Sequence, residues 1–207
     1  MLIYIIMKTA QLKRTRNYTM RARAESTTKT RERILDAVIA LSEERLSLEI
    51  VLADVATRAG VSVQTLLRQF GNRQGLFEQA QTRRVARVRA ERAVPVGDAA
   101  SAVSTIVAFY DRLGEWSLRL QAQEHSDKLS RQTVQLGRRV HREWVAEVFA
   151  PQLVGRSDHE ELVDLLVVAT DLLTWKILRR DGGADRATTC KRMLRLVQAV
   201  LPPSGRS

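Results

Sequence analysis

Apolar residues in this chain recur every three or four positions, and no long stretch alternates strictly between apolar and polar ones. That spacing lays a stripe along one side of a helix and leaves no segment from which to build a sheet, so the expected fold is all-α. Ile34, Leu35, Val38, Ile39 and Leu41 mark a first helix over 28–44, with Ser26, Thr27 and Thr28 as candidate N-caps. A short helix over 50–59 stops at Gly60, and a third opens at Ser62 and reaches Gln69. A fourth covers 73–93, before Pro95 and Gly97. Asp98 caps a fifth that extends to His125 with a bend at Gly114, and a sixth covers 127–149, ahead of Pro151. Ser157-Asp158-His159-Glu160 has capping-box form and opens one long helix to Arg180; Asp185 starts the last, which ends at Leu201.

Charge narrows the partners. The net charge is +11, and residues 1–93 hold 18 Lys and Arg against 9 Asp and Glu, whereas residues 94–207 hold 16 against 14. A basic half of this kind suits an anionic partner, nucleic acid or a membrane surface. The opening run Met1–Met7 is far too short to span a bilayer, and no later segment is long and apolar enough. The single cysteine, Cys190, excludes an internal disulfide framework and a cysteine-built zinc site, and suits a cytoplasmic protein. Residues 1–19 match no helix downstream, and Met20 offers a later start. They are therefore expected to be dispensable, within a disordered basic extension over 1–25.

The stretch Leu52–Phe70 has the form of two short helices joined at Gly60. Val55, Val61, Leu66 and Phe70 fill a shared core, and Ala56 is small where the helices cross. Ser62, Val63, Gln64, Thr65 and Arg68 then project from the second helix, as recognition-helix residues do in a major groove. Gln64 can pair with adenine and Arg68 with guanine or a phosphate. Ser62 and Thr65 can bond phosphate oxygens, Arg73 sits at the start of the next helix where a phosphate is favoured, and Lys29 adds a basic flank. An ordinary helical corner would share the helix–Gly–helix form, and the basic flanks favour the DNA reading.

These residues also carry a resemblance. Arg33-Ile34-Leu35-Asp36-Ala37, then Asp54-Val55-Ala56 with Ala59-Gly60-Val61-Ser62, then Thr65-Leu66, and finally Phe70, Arg73, Leu76 and Phe77 resemble the N-terminal domain of TetR-family transcriptional regulators. The resemblance covers residues 28–77. It implies a three-helix DNA-binding domain, here 26–80 with its motif at 51–70, joined by the fourth helix to a helical ligand-binding and dimerisation domain, here 81–203. It implies double-stranded DNA with a palindromic operator as partner, a homodimer, a small and mostly apolar effector that releases a repressor, and no cofactor. Leu67 departs from the pattern, standing where the family commonly has a tyrosine that contacts the DNA backbone. Val63 and Gln64 replace a frequent polar-then-small pair. Ile50 and Val51 stand where a threonine usually begins the second helix, and Ser47 is the alternative cap.

In the C-terminal half, the segment 160–180 is apolar on nearly every side and is expected to be enclosed by several neighbours. The last two helices are expected to pair with their copies through Leu166, Leu173, Met193, Leu194 and Val197, since two-fold DNA sites call for two-fold proteins. The aromatics and nearby polar groups Phe109, Tyr110, Trp116, Arg119, His125 and Trp144 are the candidate ligand pocket, although core packing alone would look the same.

Two rival functions differ from regulation. An all-helical enzyme would need an acid–base or metal set. His125 beside Glu124 and Asp127, His159 beside Glu160 and Glu161, and His141 near Glu143 are poorly placed for one, because adjacent helical residues point apart. Nucleotide-binding and hydrolase motifs are absent from the sequence, so no catalytic or metal-binding residue is assigned. A non-specific, architectural DNA binder would not need a large, weakly charged C-terminal domain.

Overall fold

The computed structural model describes residues 24–45 and 49–201. The apolar run at 1–7, the start at Met20, Ser47 and Pro202-Pro203 all lie outside those residues. Within them the fold is all-α, with no strand. A first helix, α1, occupies 24–44. It is followed by α2 (Leu52–Ala59), α3 (Val63–Phe70), α4 (Arg73–Glu91), α5 (Ala99–Gln123), α6 (Lys128–Val148), the one-turn α7 (Ala150–Leu153), α8 (His159–Ala169), the one-turn α9 (Leu172–Trp175), a π-helical stretch over Lys176–Asp181, and α10 (Arg186–Val200).

Local chemistry accounts for most of these boundaries. Ser62, Asp98 and Asp185 each accept a hydrogen bond from the backbone N–H three residues on, as an N-cap should. Helix α1 begins earlier than expected. Ala24 and Glu25 are already helical, and the Thr28 and Thr30 hydroxyls donate to the carbonyls of Ala24 and Ser26, so the Ser-Thr-Thr run lies inside the helix rather than capping it. Asp158 does not cap α8 either, because its carboxylate is clamped by Arg156 at 2.8 and 2.7 Å.

The long helix expected over 160–180 is broken. The Thr170 hydroxyl donates to the Leu166 carbonyl at 2.7 Å, and the Thr170 carbonyl accepts from the Tyr110 hydroxyl instead of continuing the helix ladder. Asp171 then caps a new turn by accepting from the N–H of Leu173. The β-branched Val167, Val168 and Thr170 weaken the helix where this happens. A Gly182 N–H to Ile177 carbonyl bond of 2.9 Å closes the π-helical stretch. Conversely, α5 runs unbroken through Gly114, where a bend was expected. A Cβ at Gly114 would lie 2.5 Å from the Trp175 ring, so the glycine seats an indole.

The chain forms two compact units, residues 1–83 and 84–207, and the division falls within α4. The first has a core of Ile34, Val38, Leu41, Ile50, Val55, Leu66, Phe70 and Leu76. The core of the second is drawn from α5, α6, α8, α10 and the turns between them, around Ile106, Tyr110, Trp144, Phe149, Leu166, Trp175, Met193 and Val197. Among the described residues, no helix is long and apolar enough to cross a membrane.

Candidate nucleic-acid interface and the C-terminal interior

The corner between α2 and α3 is built by three residues. Gly60 takes a left-handed conformation (φ 63°, ψ 43°) and donates to the Thr57 carbonyl, while Val61 donates to Ala56. Ser62 then accepts from the Thr65 N–H at 3.1 Å and shares a 2.9 Å hydroxyl contact with Thr65. With Leu66 and Phe70 turned inward, the same pitch turns Gln64, Leu67 and Arg68 outward on one face of α3. Val63 and Thr65 are half-buried, so Gln64 and Arg68 are the exposed polar pair of the helix body.

Other cations of this unit are committed to the fold. Arg45 pairs with Asp54, Arg58 with Glu44, and Arg83 with Asp36. Arg31, which sequence reasoning missed, lies 4.5 Å over the Phe70 ring, donates to the Gln69 carbonyl at 3.0 Å and reaches Gln79, tying α1 to the end of α3. Lys29, Arg33 and Arg68 remain exposed and unpaired among the described residues. Arg73 is half-buried, with its guanidinium 4.4 Å from the Phe77 ring centre and Nη2 3.4 Å from the Ile50 carbonyl. That residue therefore holds α4 against the unit's core as well as standing at a helix start. Asn72 accepts from the Gly75 N–H at 2.8 Å, and a Cβ at Gly75 would lie 2.6 Å from the Phe70 carbonyl, which explains that glycine in a first turn.

The second unit disperses the candidate pocket residues. Tyr110 and Trp144 are buried in the core, Phe109 is half-buried at a groove, and Trp116 lies under the Arg84 guanidinium at 4.4 Å. Arg119 is on the surface. His125 is 92% exposed and 3.8 Å from Glu124, so it stands in solvent and not over a cavity. Of the residues expected to pair two chains, Leu166, Met193 and Val197 are fully buried within the single chain, Leu194 is half-buried and Leu173 is exposed.

This interior also holds a set of polar contacts. The Trp144 indole donates to the Arg92 carbonyl at 2.8 Å, and its ring stacks on His141 at 5.7 Å. His141 Nε2 lies 3.1 Å from the Thr170 hydroxyl, whose own proton goes to Leu166; the imidazole is therefore the donor, and its Nδ1 is bare. Burial, and after it the positive charge of Arg92, push the His141 pKa down to about 3, so the ring is neutral at pH 7. Burial likewise raises the Tyr110 hydroxyl and lowers the Arg92 guanidinium. The Arg92 guanidinium lies 3.8 Å from the Phe109 ring centre and 5.8 Å from that of Tyr110. Among the described residues, no group of three His, Cys, Asp or Glu side chains gathers to hold a metal.

Comparison with solved structures defines the class of fold. The chain matches a protein from Rhodococcus sp. assigned to the TetR family of transcriptional regulators, with a TM-score of 0.59 and 23% identity, over 84% of this chain and 100% of that one. It also matches a TetR transcriptional regulator from Rhodococcus sp. RHA1, with a TM-score of 0.51 and 20% identity, over 86% of this chain and 99% of that one. No family model and no curated protein matches the chain. The chain thus has the fold of TetR-family regulators, and the resemblance read from residues 28–77 holds at the level of the whole fold.

Proposed function

We propose that the protein is a sequence-specific DNA-binding transcriptional regulator that acts as a homodimer, with α3 as its recognition helix. The observation that carries this reading is the outward face of α3. Gln64 and Arg68 are exposed there on a helix whose start is fixed by Gly60 and Ser62 and whose other face is locked into the core. Ser62, Val63, Thr65, Arg73 and Lys29 complete the interface, with Ser62 and Thr65 contributing through the exposed side of the cap. The domain limits remain 26–80 for DNA binding and 81–203 for dimerisation and ligand binding. The proposal assigns no catalysis to the chain and sets it in the cytoplasm with its DNA.

The dimer face is better sought among exposed apolar residues than among buried ones. Leu165, Val168, Leu173, Ile177 and Leu196 are large, apolar and 44–63% exposed, and they lie along α8, α9, the π-helical stretch and α10. The reading makes this face the isologous contact of a two-fold dimer. A small effector bound by the second unit releases the repressor from DNA, and α4, whose residues belong to both units, connects them covalently.

The test is selection from a random duplex library. Enrichment of a palindrome with half-sites about one helical turn apart supports the reading. Recovery of unenriched DNA would point to architectural binding instead. Ile177→Asp should separate the dimer while leaving the protomer folded, and sedimentation reads both.

A further inference from the structure

We propose that Leu67 reads the 5-methyl group of a thymine in the major groove, close to the base pair that Gln64 contacts. The inference deepens the DNA-binding reading above and rests on it.

Three of the four apolar side chains of α3 serve the core of the first unit. Leu66 and Phe70 are buried in it, and Val63 packs against it. Leu67 neither belongs to that core nor packs on it, and it is 38% exposed. Its backbone is fixed all the same. The Leu67 carbonyl accepts from the Gly71 N–H at 2.8 Å, and Leu66 and Phe70 hold the helix down. The leucine is therefore presented by an anchored helix and contributes little to the packing beneath it.

Helical pitch sets its neighbours. Residues three apart share a side of a helix, so Leu67 stands beside Gln64, with Arg68 next in the chain, and all three are exposed. A lone leucine on an ordinary surface needs no explanation. This one lies between the two exposed polar side chains of the helix body, in a unit where Lys29, Arg33 and Arg68 are exposed cations without an anion among the described residues. Such charge suits a phosphate backbone.

A duplex offers a leucine few partners. It cannot donate to a phosphate, and base edges are polar except for the thymine 5-methyl, which the major groove displays. Covering that methyl removes two apolar surfaces from water at once. At about 1.5 Å per residue, Gln64 and Leu67 are about 4.5 Å apart along the helix axis, against about 3.4 Å between base pairs. The methyl is therefore assigned to a thymine within about two base pairs of the pair that Gln64 reads.

The experiment uses the full chain and the palindrome enriched from the random library. Each thymine in turn is replaced by deoxyuridine in both half-sites, which removes a methyl and keeps every hydrogen-bonding group. Burying one methyl is worth about fourfold in affinity, so the wild type should weaken by about fifteenfold at one thymine. That thymine should lie beside the position at which Gln64→Ala loses its base preference. Leu67→Ala should bind the thymine and deoxyuridine duplexes alike there, with a melting temperature close to that of the wild type. Leu67→Met, which keeps an apolar tip, should retain the difference. So should Val51→Ala, which alters the other large exposed apolar residue of this unit, at the start of α2. The absence of a methyl-sensitive thymine, or the same loss in Leu67→Ala as in wild type, would overturn the proposal. Unfolding of Leu67→Ala would also overturn it, by making Leu67 a core residue. A palindrome that Gln64→Ala relaxes, but on which no methyl matters, keeps the DNA reading and removes Leu67 from it. Failure to enrich any palindrome removes both.

Discussion

The two units are opposites in where they put polarity. Residues 24–83 bury no polar side chain among those described, and their exposed groups on α3 are a glutamine, an arginine and a leucine. The second unit buries Arg92, Asp127, Ser130, His141, Thr170 and Thr189, and exposes Leu165, Val168, Leu173, Ile177 and Leu196. The first unit's core is apolar apart from the enclosed Oε1 of Gln69, and it holds α3 with its polar face outward. A core that encloses the bare Nε of Arg92 and the bare Nδ1 of His141 carries a desolvation cost. A surface rich in leucine and valine is costly unless something covers it. The difference teaches that the first unit keeps its polarity on the surface, while the second encloses polar groups and leaves large apolar ones outside.

The largest effects should come from the two cores. Leu66 is fully buried at the centre of the first, and Leu66→Ala should cost about 2–5 kcal/mol. All three tryptophans lie in the second unit, at 116, 144 and 175. Tryptophan fluorescence should therefore keep its urea midpoint while the far-ultraviolet transition begins earlier. A common shift would show that the cores melt as one. In the second unit, Gly114→Val should cost about 3 kcal/mol. The Trp175 ring it meets is held by a 3.0 Å bond to Asp111 and cannot step aside.

The polar interior makes a pH prediction. The pKa of His141 is depressed from its ordinary 6.5 to about 3 in the folded protein. Between those values the unfolded chain binds a proton that the folded one does not. The contribution is complete above pH 6.5 and is lost as pH falls below it, by about 1.4 kcal/mol per unit. Acidic groups add their own acid sensitivity, so the readout is the difference between wild type and His141→Asn. The variant should lose less stability than wild type between pH 7 and pH 5, and parallel losses would place the ring in water. The first unit, with no buried histidine, should show a smaller effect: Ser62→Ala should cost about 1 kcal/mol through the lost cap.

The same contrast governs how much could be read from sequence. The α2–α3 corner was legible to the residue, because Gly60 and Ser62 act on their immediate neighbours, and so were the caps at Asp98 and Asp185. The second unit's departures are tertiary. Thr170 breaks a helix by giving its carbonyl to Tyr110, 60 residues away. In a helix apolar on nearly every side, sequence could not say that Leu166 points in and Leu165 out, and the same ambiguity hid Met193 and Val197 in the core. Arg92 carried no local signal, since one arginine among the five of residues 81–93 is distinguished by nothing except where it is buried. The extent of α1 was missed because its capping-type residues hydrogen-bond within the helix.

The central claim is that the outward face of α3 reads DNA sequence, and Gln64 is its most direct test. The measurement is the affinity of wild type and Gln64→Ala for the selected duplex and for a scrambled one at a single fixed salt concentration. The account predicts that the variant loses about 1–3 kcal/mol on the selected duplex, with affinity for the scrambled one unchanged. Equal affinity of both proteins for the selected duplex would contradict it, as would an equal loss on both duplexes.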